Sequence, residues 1–247
     1  MSKTSETGHA KNVASFEELI NHALSYKEAY NPSRDAIKVE ALQTLLSNAK
    51  NCMTDVNNAL SPYKMAAAER ETTFKPLNPL TTRVINSLKA TDTTVKMDDT
   101  AQSLVRKITG RRATAIKETD ASVKIADTEE GPKHISAAQT SFDNVIENLD
   151  KLIIHLQNIP QYTPNEPELQ PQALRAFKEE LYAKSNQAKL TDIALSNARI
   201  TRNKVMYEPL TGLTDIASDV KTYVKSVYGA SSPEFKQVSK IEFKQVR

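Results

Sequence analysis

Histidine, cysteine and clustered basic residues are the side chains of this sequence with the potential for chemistry. The histidines are His9, His22, His134 and His155, scattered along the chain. A zinc protease needs HExxH on one helix, and a di-metal carboxylate bundle needs Glu-x-x-His on each of two helices. The chain has no HExxH and does not carry two Glu-x-x-His motifs. His155 interrupts the apolar run Leu152-Ile153-Ile154-His155-Leu156 and reads as a partly buried helix residue. Cys52 lies among apolar positions of an expected helix. Without a helix N-terminus to lower its pKa, it reads as a small buried hydrophobe. A single cysteine also excludes an intramolecular disulfide and a cysteine-only metal site.

Nucleotide cradles of the forms GxxxxGK[ST] and GxGxxG are absent, as is the nucleophile elbow GxSxG. No cofactor is expected. Gly229-Ala230-Ser231-Ser232-Pro233 could seat an anion before a helix, but it fits better as the end of one helix and the cap of the next.

Two basic stretches remain. Segment 106–124 carries Arg106, Lys107, Arg111, Arg112, Lys117 and Lys124 against Glu118 and Asp120, a net +4. Segment 221–247 is also net +4, with aromatic residues among its lysines. Arg106, Lys107, Arg111 and Arg112 are the candidate anion contacts, since such clusters can meet phosphate or anionic lipid. The whole chain has 33 basic and 30 acidic residues, net +3, which argues against nucleic acid as its main partner.

The elements that must position these groups are helices. Glycine is scarce, at 5 residues, leaving few tight hairpin turns. Apolar residues recur by threes and fours in Phe16, Leu19, Ile20 and Ala23, and again in Val145, Ile146, Leu149, Leu152, Ile153 and Leu156. Ser15 followed by Glu18 reads as a capping box for the first helix. A second helix follows in each half, with Leu42, Leu45, Leu46, Met53 and Val56 in one and Leu174, Phe177, Leu181, Ile193 and Ile200 in the other. From about Gln172 to Met206 there is no Pro or Gly. Such a helix would span roughly 50 Å at 1.5 Å per residue. Pro62 is expected to kink or restart its counterpart. Asp99 and Ser232 read as caps of the last short helices, and Gly110 as a stop.

Parts of the chain recur in order. Phe74-Lys75-Pro76-Leu77-Asn78-Pro79-Leu80 returns as Tyr207-Glu208-Pro209-Leu210-Thr211-Gly212-Leu213, 133 positions on. Tyr30-Asn31-Pro32 returns as Tyr162-Thr163-Pro164, 132 on, and Ser15-Phe16 with Ile20 as Ser141-Phe142 with Ile146, 126 on. These matches suggest a duplicated unit. The paired leucines Leu77 and Leu210, Leu80 and Leu213 are expected to be buried where the long helix turns back.

The stretches LSNARITRNKVMYEPLTGL and VKTYVKSVYGASSPEFKQVSKIEF, both in the second half, resemble uncharacterised duplicated all-helical proteins of Bacteroidetes-type bacteria. The resemblance implies a bacterial, cytoplasmic setting and no particular activity. The N-terminus lacks the apolar core of a signal peptide, and no apolar run approaches the ~18 residues of a membrane span.

The expected architecture is all-α: an elongated helical bundle of two homologous units with long amphipathic helices. Residues 1–13 are expected to be disordered or extended, 14–110 the first unit, 111–138 a linker and 139–247 the second unit. The expected function is that of a non-enzymatic scaffold binding itself or another protein. A membrane-active helical protein and a nucleic-acid binder using 106–124 and 221–247 are the alternatives. Phe235, Val238, Ile241 and Phe243, with Lys236 and Lys240, form the candidate interaction element. They follow a break at Gly229 and need something to cover them.

Overall fold

The computed structural model describes residues 7–111 and 141–244. Among them the fold is all-α, with no strand. The helices are α1 (Thr7–Ser25), α2 (Val39–Phe74), α3 (Leu77–Lys89), α4 (Val95–Thr109), α5 (Phe142–Gln157), α6 (Pro171–Tyr207), α7 (Leu213–Tyr228) and α8 (Pro233–Ser239). Local signals set several ends. Ser141 Oγ accepts from the Asn144 N–H at 3.3 Å and Ser232 Oγ from the Phe235 N–H at 3.1 Å, satisfying donors that the first helical turn leaves free. Gly110 closes α4 with φ 70°, a left-handed conformation that glycine adopts without steric cost.

Other ends differ from the sequence expectation. The first helix starts at Thr7, so Ser15 lies inside it and 7–13 is helical rather than extended. His9, Asn12 and Val13 continue its inward stripe, and the first two are polar, which breaks the hydrophobic period. Thr94 holds the N-cap position of α4 without a side-chain bond to the first turn, and Asp99 lies within the helix. Helix α2 runs unbroken through Pro62, which is exposed. The carbonyl four residues back, on exposed Asn58, is left to water there. The linker beyond Arg111, with Gly131-Pro132 and His134, lies outside the described residues.

The chain divides into two compact units, Met1–Lys64 with Leu190–Arg247, and Met65–Lys189. They do not coincide with the sequence halves 14–110 and 139–247. The first is built from α1, the start of α2, the end of α6, α7 and α8; the second from the end of α2, α3, α4, α5 and the start of α6. The reason is packing: the first helix of each half buries its stripe against helices of the other half. In one unit Phe16, Leu19 and Ile20 share a core with Leu213, Val220 and Val238. In the other Leu149, Leu152 and Ile153 share a core with Leu77, Val84 and Ala101.

Within each unit the burial pattern has its own register. Val13, Phe16, Leu19 and Ile20 are buried, and so are Ile146, Leu149, Leu152 and Ile153, each 133 positions later. The 126-position match therefore does not pair like with like: Phe16 is buried well inside α1, whereas Phe142 opens α5. After the turn, Leu77, Thr81, Val84 and Leu88 correspond in burial to Leu213, Ala217, Val220 and Val224, 136 positions on. Leu77 and Leu213 are buried as expected and Leu80 is partly buried, but Leu210 is 75% exposed with φ 68°. Leu210 stands in the turn, its N–H donating to Asp215 Oδ2 at 2.9 Å, while Leu213 takes the inward place.

One local device occurs in each unit. Tyr30 donates its hydroxyl to the Ile37 carbonyl at 2.7 Å, and Tyr162 donates to the Leu169 carbonyl at 2.9 Å. Both phenols and both acceptor residues are buried, and a short 3-10 turn carries each acceptor. The bond folds the chain back between the first helix and the long one.

Candidate functional site

The C-terminal element is covered by its own unit. Val238 and Ile241 are buried in the core with α1 and α7, and Phe235 and Phe243 are packed against it. Asn12 holds the segment's end: its Nδ2 donates to the Lys244 carbonyl at 2.6 Å and its Oδ1 accepts from the Lys244 N–H at 2.9 Å. Lys221 Nζ donates to the Ile241 carbonyl and lies 5.1 Å from the Phe243 ring centroid. Burial lowers the Lys221 pKa from its ordinary value. Lys236 and Lys240 remain exposed, the second beside an open groove lined by Lys11, Glu18 and His22. Four of the six residues of the candidate element are thus spent on intramolecular packing.

His9, His155 and Cys52 take structural places. His9 is fully buried, with Nδ1 2.8 Å from the Tyr207 hydroxyl, and Asn12 Nδ2 donates to that hydroxyl at 3.2 Å. His155 is half-buried, its Nε2 3.0 Å from the Met97 carbonyl, joining α5 to α4. Cys52 is buried, and burial, with Asp55 behind it, pushes its thiol pKa up, away from the reactive thiolate. Among the described residues no three His, Cys, Asp or Glu side chains gather as a metal site. No helix there is long and apolar enough to cross a membrane.

Two surface features are better candidates. The first is a face of α6. Leu190, Ile193 and Ile200 are 54%, 55% and 63% exposed. At 100° per residue they fall within about 80° of one another, one side of the helix. Ile193 and Ile200, read in the sequence among the apolar positions of this helix, thus face outward. The inward positions of this part of α6 are held instead by Leu195, Arg202 and Met206. Arg202 is only 1% exposed, with Nε and Nη2 3.1 and 3.0 Å from Asn203 Oδ1. A buried arginine disguises the inward stripe, so the apolar period points the wrong way.

The second feature is a groove of about 320 Å³ between α3 and α4. Ile85 and Val105, both buried, form its floor. Arg106 and Arg111, two of the candidate anion contacts, line it together with Lys89. Lys107 is half-buried on α4 outside the lining, and Arg112 with the rest of 112–124 lies outside the described residues. Lys89 went unnoticed in the sequence because it belongs to another helix and adds nothing to a local charge run. The turn closing α4 sets Arg111, whose N–H donates to the Arg106 carbonyl at 3.0 Å. No protein-family model matches the chain, and neither a curated protein nor a solved structure matches it.

Proposed function

We propose that the chain is a non-enzymatic helical scaffold that associates with a second copy of itself through the exposed face of α6. The observation that carries this is the row Leu190, Ile193 and Ile200, each more than half exposed. Covering a large aliphatic side chain contributes about 1.5–3 kcal/mol, so three together reward a partner. The row has no counterpart on α2. The residues 132 positions earlier are Asn58, Ser61 and Ala68, all exposed. One such row among the described residues suits a closed two-fold dimer, in which the same patch meets itself, rather than an open filament.

The duplicated origin of the two halves belongs to the same reading. Its support is the paired tyrosine devices and the burial registers of 133 and 136 positions. The cytoplasmic, bacterial setting and the elongated form are further parts of it, the latter resting on the 36 and 37 residues of α2 and α6.

Light scattering and small-angle X-ray scattering over a range of concentrations test the proposal. The wild type is expected to be a dimer, and Leu190→Glu/Ile193→Glu a monomer with unchanged helical circular dichroism and melting. A monomeric wild type overturns it, and so does a double variant that stays dimeric. Loss of fold in the double variant would make the row part of the core and overturn it too.

A further inference from the structure

We infer that the groove between α3 and α4 is a binding site for an oligophosphate, a short chain of linked phosphoryl groups. Thr82, Asn86 and Lys89 line one wall at steps of four and three, and Gln102, Arg106 and Thr109 line the other at the same steps. That spacing puts each set on one helix face, so the walls oppose each other over the apolar floor. Each wall runs over eight residues, seven steps of 1.5 Å, and is about 10 Å long, room for several linked phosphoryl groups.

Charge decides the class of ligand. Among the described residues three cations, Lys89, Arg106 and Arg111, line the groove, and no carboxylate does. None of the three forms an ion pair among the described residues. The groove between α5 and α6 in the same unit is the opposite case. Its Asp143, Glu147 and Asp150 are engaged by Lys189, Lys151 and Lys178 at 2.6–2.8 Å. Cations near helix C-termini are favoured by the helix dipole, which accounts for the basic residues on each helix but not for a shared groove without counter-charge.

Arginine offers paired donors that match phosphoryl oxygens, and the Asn86 and Gln102 amides add neutral ones. Among the described residues no aromatic side chain lines the groove. The bases of a single-stranded nucleic acid would find no stacking surface there, so the geometry favours a free oligophosphate over a polynucleotide.

Isothermal titration of the full chain with inorganic tripolyphosphate tests this, beside a thymidine oligonucleotide and poly-glutamate. Saturable one-to-one binding of tripolyphosphate is expected, weakened at least tenfold by Lys89→Gln/Arg111→Gln. Both residues are exposed, so the fold should hold, as melting will check. Lys236→Gln/Lys240→Gln, which removes two cations elsewhere, should leave the affinity within twofold. The inference fails if tripolyphosphate does not saturate, if the two double variants lose affinity equally, or if the oligonucleotide or poly-glutamate binds as tightly.

Discussion

Replacing Tyr30 or Tyr162 by phenylalanine removes one oxygen and leaves the ring where it is. Each hydroxyl donates to a buried carbonyl, Ile37 at 2.7 Å and Leu169 at 2.9 Å. The tyrosines are 7% and 4% exposed, so water cannot readily replace the lost donor. A buried carbonyl left without its partner costs about 1–3 kcal/mol. No cavity term adds to it, because Phe keeps the ring and, at Tyr30, the edge-on contact with Tyr223 at 5.2 Å. Each variant should therefore lose about 1–3 kcal/mol in urea unfolding followed by circular dichroism at neutral pH.

The same phenols set an alkaline limit. Burial, with Tyr223 second, raises the Tyr30 pKa, and burial pushes Tyr162 up to about 12 from its ordinary 10.0. A proton held more tightly in the folded state stabilises it fully below the unfolded pKa, and the gain is lost as pH rises toward the folded value. Wild-type stability should thus fall between pH 10.0 and about 12, and the Tyr30→Phe/Tyr162→Phe variant should fall less steeply over that range. Some slope will remain, because burial also raises Tyr26. An unchanged midpoint for Tyr162→Phe at neutral pH, or an undiminished alkaline slope in the double variant, would refute the reasoning.

Gly212→Ala should destabilise although its φ of −71° suits any residue, because the new Cβ would lie 2.6 and 2.7 Å from the backbone N and O of Glu208. Overpacking of that kind costs about 1–3 kcal/mol, read as a lower thermal midpoint; an unchanged midpoint would mean the turn yields freely. Gly229→Ala should lose a similar amount for a different reason, since its Cβ meets nothing but φ is 87° and ψ 159°. Asn12→Ala removes both bonds to the Lys244 backbone. Amide exchange at Lys244 should then accelerate at least tenfold, a loss of about 1.4 kcal/mol of local protection, and protection at the wild-type level would show that the side chain does not hold the C-terminal segment.

Sequence alone determined what depends on neighbours a few residues away. The helical period, the serine caps at Ser141 and Ser232, the glycine stop at Gly110 and the inert setting of Cys52 were all legible, because each is a property of one or two turns of chain. The repeat around Tyr30 and Tyr162 was visible for the same reason, since each hydroxyl reaches only seven residues ahead. Tertiary structure decided the rest. Helix α1 begins early because Asn12 finds partners at Tyr207 and Lys244. The apolar row of α6 faces outward because Leu195, Arg202 and Met206 hold the inward side. Lys89 joins Arg106 and Arg111 only when α3 lies against α4. Each unit draws on both halves of the sequence, since a helix stripe specifies that it must be buried but not which distant surface will bury it.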